Sequence, residues 1–174
     1  LAAEFPASLE PPRLSELRDV AVGPGGSIIV LGEGPDPAAP GSRIAKVVRV
    51  DPQSGERTLV VGFAGTLASG TRLTDAAGVA VGPDGEILVV GTGPEATDPG
   101  DRVVKVVRVD PDTGSLTLVE VFRDDLDDPE RLDSVQGIAV DAEGSIFVLG
   151  RGADPIESVS EIPKLVRIDR ETGF

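Results

Sequence analysis

Apolar positions in this chain fall into short β-branched runs closed by Gly, Pro or Asp, without the three-and-four spacing of an amphipathic helix. Val79–Val81 and Glu86–Gly91 flank Gly82-Pro-Asp-Gly85, a tight-turn sequence in which Gly supplies positive φ, and this predicts a hairpin. Arg102–Val109 and Leu116–Phe122 flank Asp110-Pro-Asp-Thr-Gly-Ser115, which predicts a second strand pair. The runs are nearly continuous in apolar character, as expected of strands covered on both faces.

The pattern repeats. Val20–Gly32 recurs as Val79–Gly91 and Ile138–Gly150, each step being 59 residues, and Lys46–Pro52 recurs as Lys105–Pro111 and, without the proline, as Lys164–Asp169. Four strands per repeat and three repeats in register predict an all-β fold: a β-propeller with three four-stranded antiparallel blades. The blade repeats run approximately 1–59, 60–118 and 119–174 within a single propeller unit. A β-trefoil, which also has three repeats of four strands, is the alternative architecture, although its repeats are usually shorter.

The segments Gly78-Val-Ala-Val-Gly-Pro-Asp-Gly-Glu-Ile-Leu-Val-Val90 and Arg108-Val-Asp-Pro-Asp-Thr-Gly114 resemble blades of NHL-repeat and gluconolactonase-like propellers. The resemblance covers essentially the whole chain and implies blade architecture, which serves hydrolases, lyases, binding modules and scaffolds alike. For the gluconolactonase-like group it also implies a divalent cation held by Asp, Asn and Glu near the central channel. This chain contains no Asn, and the ligand motifs of that group have no counterpart in it.

Composition narrows the chemistry. His, Cys, Tyr, Trp and Met are absent, which removes imidazole catalysis, thiol chemistry and the common soft metal ligands. The net charge of −14 disfavours nucleic acid and anionic membranes as partners, since both carry the same sign. No run of apolar residues has the length of a membrane span. A non-catalytic binding or scaffold module is therefore the favoured function, with a metal-dependent hydrolase or lactonase using carboxylates as the alternative. No cofactor is required by these residues, although oxygen-rich loops admit calcium.

In a blade the first-to-second and third-to-fourth turns share one end of the sheet, and the longer connections share the other. The long-loop face is acidic and is the expected place for a protein or small-molecule ligand. The candidate ligand or metal residues are Asp19, Asp124, Asp125, Asp127 and Asp128. Asp19 stands out because its repeat equivalents are Gly78 and Gly137, so it alone puts a carboxylate at the start of an innermost strand. Arg49, Arg108 and Arg167, with Asp51, Asp110 and Asp169, occur in all three repeats, which marks them as scaffold residues and suggests local ion pairs such as Arg108 with Asp110.

Leu1, Ala2, Ala3, Glu4 and Phe5 align with the fourth strand of a repeat. Residues 1–6 are thus expected to act as a closing fourth strand, with two chains forming a six-bladed homodimeric ring. Natural propellers have about four to eight blades. The acidic balance generates a first prediction: the protein shows no measurable binding to DNA or heparin at physiological salt in a fluorescence-anisotropy titration, and saturable binding there refutes the charge argument.

Overall fold

The computed structural model describes residues 12–64, 67, 70–123, 131–154 and 160–169. Eleven strands form three antiparallel sheets among them. Blade 1 comprises β1 (Glu16–Val22), β2 (Ile28–Pro35), β3 (Arg43–Val50) and β4 (Arg57–Gly62). Blade 2 comprises β5 (Asp75–Val81), β6 (Ile87–Pro94), β7 (Arg102–Val109) and β8 (Leu116–Phe122). Blade 3 comprises β9 (Ser134–Val140), β10 (Ile146–Ala153) and β11 (Glu161–Ile168). Each sheet is a simple meander, and β1, β5 and β9 lie side by side as the inner strands. This is the succession of separate sheets found in a propeller, and it excludes the trefoil. The expected closing strand, Leu1 to Phe5, lies outside the described residues.

The core sits between blades. Ile29, Leu31 and Val47 of blade 1 pack on Val79, Ile87, Val89, Val107 and Val109 of blade 2. One repeat later, Leu88, Val90 and Val106 of blade 2 pack on Ile146, Val148, Val166 and Ile168 of blade 3. Odd and even positions of each middle strand thus face opposite neighbours, which is why these strands read as unbroken apolar runs. We call the side of a blade turned toward the preceding blade its leading face and the other its trailing face.

The outer sides of the stack differ from the inner ones at equivalent positions. Val79 is 3% exposed, whereas its counterpart Val20 on the leading face of blade 1 is 59% exposed. On the trailing side, Val90 and Val106 are fully buried in blade 2, but their counterparts Leu149 and Leu165 in blade 3 are 44% and 68% exposed. The leading face of blade 1 is open chiefly along β1, at Leu17, Val20 and Val22, because Val30, Val48 and Val50 are buried in a small cluster with Leu14.

Second strands are longer than the apolar runs suggested. β6 continues through Gly91-Thr-Gly93 to Pro94, and β2 and β10 continue likewise. The chain segment leading into each blade crosses directly over these glycines. A Cβ on Gly34, Gly93 or Gly152 would stand 2.0–2.1 Å from the carbonyl oxygen of Arg13, Arg72 or Arg131, respectively. Only a residue without a side chain permits that approach. The inner strands also begin earlier than expected, and each carries a bulge, at Arg18, Ala77 and Gln136, where pairing with the second strand skips one residue.

A second prediction follows from the crossing. Gly93→Ala should lower unfolding free energy by about 1–3 kcal/mol, since backbone must move to admit the methyl group. Gly70→Ala, whose new Cβ would meet nothing closer than Ala96 at 3.9 Å among the described residues, should change it by less than about 0.5 kcal/mol. Urea denaturation measures both, and equal effects refute the crossing as the reason for glycine at 93.

Candidate functional site

Asp19 lies just after the bulge of β1, and both its carboxylate oxygens are engaged. Oδ1 accepts the backbone N–H of Val20 at 2.8 Å, and Oδ2 accepts that of Val79, on the inner strand of the next blade, at 2.9 Å. The side chain is therefore a staple between blades 1 and 2. At the equivalent place between blades 2 and 3 no staple is needed: a Cβ on Gly78 would lie 3.2 Å from the Gly137 Cα and from the Ile138 backbone nitrogen, so the two inner strands touch directly.

The repeated aspartates build turns. Asp51 Oδ1 accepts the N–H groups of Gln53 and Ser54 and the Ser54 hydroxyl, and Asp110 Oδ1 accepts those of Asp112 and Thr113. These bonds, led by the backbone N–H of Ser54 and of Thr113, hold both carboxyls below the ordinary aspartate range. They are the Asx turns that the Asp-Pro-x-x-Gly sequence encodes. Asp141 does the same in the first hairpin of blade 3, accepting from Glu143 and Ser145.

The repeated basic residues depart from the expected ion pairs. No salt bridge joins Arg108 to Asp110 among the described residues, because the Asp110 carboxylate is turned inward to its own loop. Arg49 reaches across the seam instead, donating from Nη2 to the Pro111 carbonyl of blade 2 at 3.0 Å. Arg167 donates to the Ser145 hydroxyl of its own blade at 2.9 Å.

Lys46 and Lys105 are buried, and desolvation lowers the pKa of each, offset in part by Asp36 and Glu95, respectively. Lys105 Nζ donates to the Pro94 carbonyl, and Lys164 Nζ to that of Arg131 at 3.2 Å. A lysine of lowered basicity can serve as a nucleophile. Lys105 is fully enclosed and thus out of a substrate's reach. Its role is to satisfy carbonyl groups where the chain crosses the glycines of the second strand.

On the long-loop face, Asp36 accepts from the Ala38 N–H, Asp98 accepts from that of Gly100, and Glu95 receives Arg123 Nε at 2.8 Å. The Arg123 contact is the main cause that holds the Glu95 carboxyl below its usual range. A cleft of about 350 Å³ opens here between blades 1 and 2, lined by Asp36, Ser42, Arg43, Phe63, Arg72 and Thr74. Asp124, Asp125, Asp127 and Asp128 lie outside the described residues. Among the described residues no three carboxylates gather to hold a cation, and Asp19 has both oxygens on backbone donors. These residues do not reproduce the cation site that the gluconolactonase resemblance implies. The crossing glycines and the carbonyl-bonding lysines were missed as positional features, although Gly-x-Gly occurs at 32–34, 91–93 and 150–152.

No protein-family model matches the sequence, and no curated protein matches it. Among solved structures, the acylaminoacyl peptidase of Pyrococcus horikoshii is similar over 91% of this chain and 24% of its own, with 12% identity and a TM-score of 0.55. TolB from Acinetobacter baumannii is similar over 91% of this chain and 31% of its own, with 13% identity and a TM-score of 0.54. A gluconolactonase structure is 20% identical over 90% of this chain and 50% of its own, with a TM-score of 0.49. The chain thus spans about a quarter to a third of the first two proteins. At these identities the likeness concerns fold alone. Together with the three meandering sheets and their inner strands, it defines a run of β-propeller blades. Blades are also what the resemblance of the repeats implies.

The Asp19 staple gives a third prediction. Asp19→Ala removes the acceptor of the Val79 N–H and should cost about 1–2 kcal/mol in urea denaturation at matched protein concentration. Asp19→Asn keeps one acceptor oxygen and should cost less. Unchanged stability in both variants refutes the staple.

Proposed function

We propose that this chain is a non-catalytic β-propeller module, a binding or scaffold unit that two copies complete to a six-bladed ring. The observation that carries the reading is the engagement of its acidic side chains. Asp19, Asp36, Asp51, Asp98, Asp110 and Asp141 all accept backbone N–H groups, and Glu95 pairs with Arg123. General acid catalysis by a carboxyl at neutral pH calls for a raised pKa, and among the described residues the carboxyls with a resolved shift are lowered. Groups held this way maintain turns and seams. The long-loop cleft beside Phe63 and Arg72 is the favoured contact for a protein or small-molecule ligand.

The ring is supported by the exposure of Leu17 and Val20 on β1 and of Leu149 and Leu165 in blade 3, whose counterparts Ala76, Val79, Val90 and Val106 are buried within the stack. Two copies supply six blades, within the natural range of about four to eight, whereas three copies would supply nine.

Two measurements test the proposal. Light scattering at micromolar concentration should give a mass of about 36 kDa, twice the 17.9 kDa chain, and a stable species of about 18 kDa refutes the ring. In a thermal-shift scan, millimolar calcium or chelator should leave Tm unchanged. A ligand that binds only the native state raises Tm, so a calcium-dependent rise accompanied by hydrolysis of a lactone substrate would overturn the non-catalytic reading.

A further inference from the structure

Among the described residues nothing requires glycine at position 137. Its φ is not positive, and among the described residues no atom lies within 4 Å of where its Cβ would stand. Its counterpart Gly78 is different, because blade 3 lies only 3.2 Å from the equivalent point. Nor does repetition alone maintain glycine here, since the first repeat carries Asp19 at this position. A glycine that is sterically required at one seam therefore recurs at the trailing face of blade 3, where no described blade follows.

Three further features of that face show the same mismatch. Leu149 and Leu165 are exposed where Val90 and Val106 are buried. Ala139 is exposed where Ala80 is buried. Arg167 bonds within its own blade, whereas Arg49 crosses to the Pro111 carbonyl. The counterpart of Pro111 in the first repeat is Pro52, which is exposed.

Deepening the ring reading, and resting on it, we propose that the closing seam copies the internal ones in register along the inner strands: Gly137 on the trailing face of blade 3 receives β1 of a second copy at Asp19 and Val20. The occupant is a second copy because one chain carries both halves. β1 exposes Leu17, Val20 and Val22, the counterparts of Ala76, Val79 and Val81, which pack on blade 1. The approach leaves no donor stranded, since the Val20 N–H is already bonded to its own Asp19 carboxylate at 2.8 Å. Arg167 then turns from Ser145 to the Pro52 carbonyl of the copy. Twofold symmetry makes the seam twice and closes the ring.

The experiment uses the 174-residue chain and three variants. Gly137→Val places a branched side chain where the copy must lie and should convert a species of about 36 kDa to one of about 18 kDa in light scattering, with an unchanged circular dichroism spectrum. The chain has no native cysteine, so the V20C/G137C variant should give a disulfide-linked dimer on a non-reducing gel after mild oxidation. The shifted pair L17C/G137C should not. If the wild type has the dimer mass while Gly137→Val stays dimeric and V20C/G137C fails to cross-link, this seam is wrong and the pairing of two copies stands. If the wild type has the monomer mass, the ring reading fails and the seam with it. The cross-link also guards against a Gly137→Val chain that does not fold.

Discussion

Every sheet in this protein has two apolar faces, and neither can remain in water without cost. Burying a Val or Leu side chain is worth about 1.5–3 kcal/mol, so a four-stranded blade is stable only between neighbours. The sequence answers with repeats in register, each presenting one set of positions forward and the alternate set backward. The middle blade realises this fully: residues 87–90 of β6 are all buried, two facing each neighbour. Inner strands, bulges, cross-seam bonds and crossing glycines all serve to bring the sheets close enough for that burial.

Polar groups follow from the same demand. Stacking sheets this tightly puts carbonyl groups of the incoming segment over the second strand, out of reach of solvent, and an unbonded polar group in such a place is costly. The lysine of each third strand extends to this region, and desolvation there lowers the pKa of Lys46 and Lys105. Acidic residues do complementary work at the turns, where backbone N–H groups lack partners. Among the described residues, acidic side chains are thus spread over turns and seams.

Much of this was legible in the residues. A period of 59, turn signals at Gly82–Gly85 and Asp110–Ser115, and unbroken apolar runs were enough for the blades, because each reflects local backbone preference or two-sided burial. Strand ends were less legible: Gly91-Thr-Gly-Pro94 reads as a loop by propensity, and only the chain passing over it makes it a strand. The Asp19 position was visible as an exception among glycines, but its partner, Val79, is sixty residues away and belongs to another sheet. For Arg108, sequence proximity to Asp110 suggested an ion pair, whereas the turn competes for that carboxylate and wins.

Asp19 also bears on how the chain finds its fold. Three repeats of one pattern give a nascent polypeptide similar docking partners, and tandem arrays are prone to misassembly between repeats or between molecules. Were the seams chemically indistinguishable, blade 1 could seat on blade 3 with little loss. A carboxylate where the other repeats carry glycine breaks that degeneracy. It gives one junction a hydrogen bond that the others lack, and it gives an otherwise repetitive chain a defined phase.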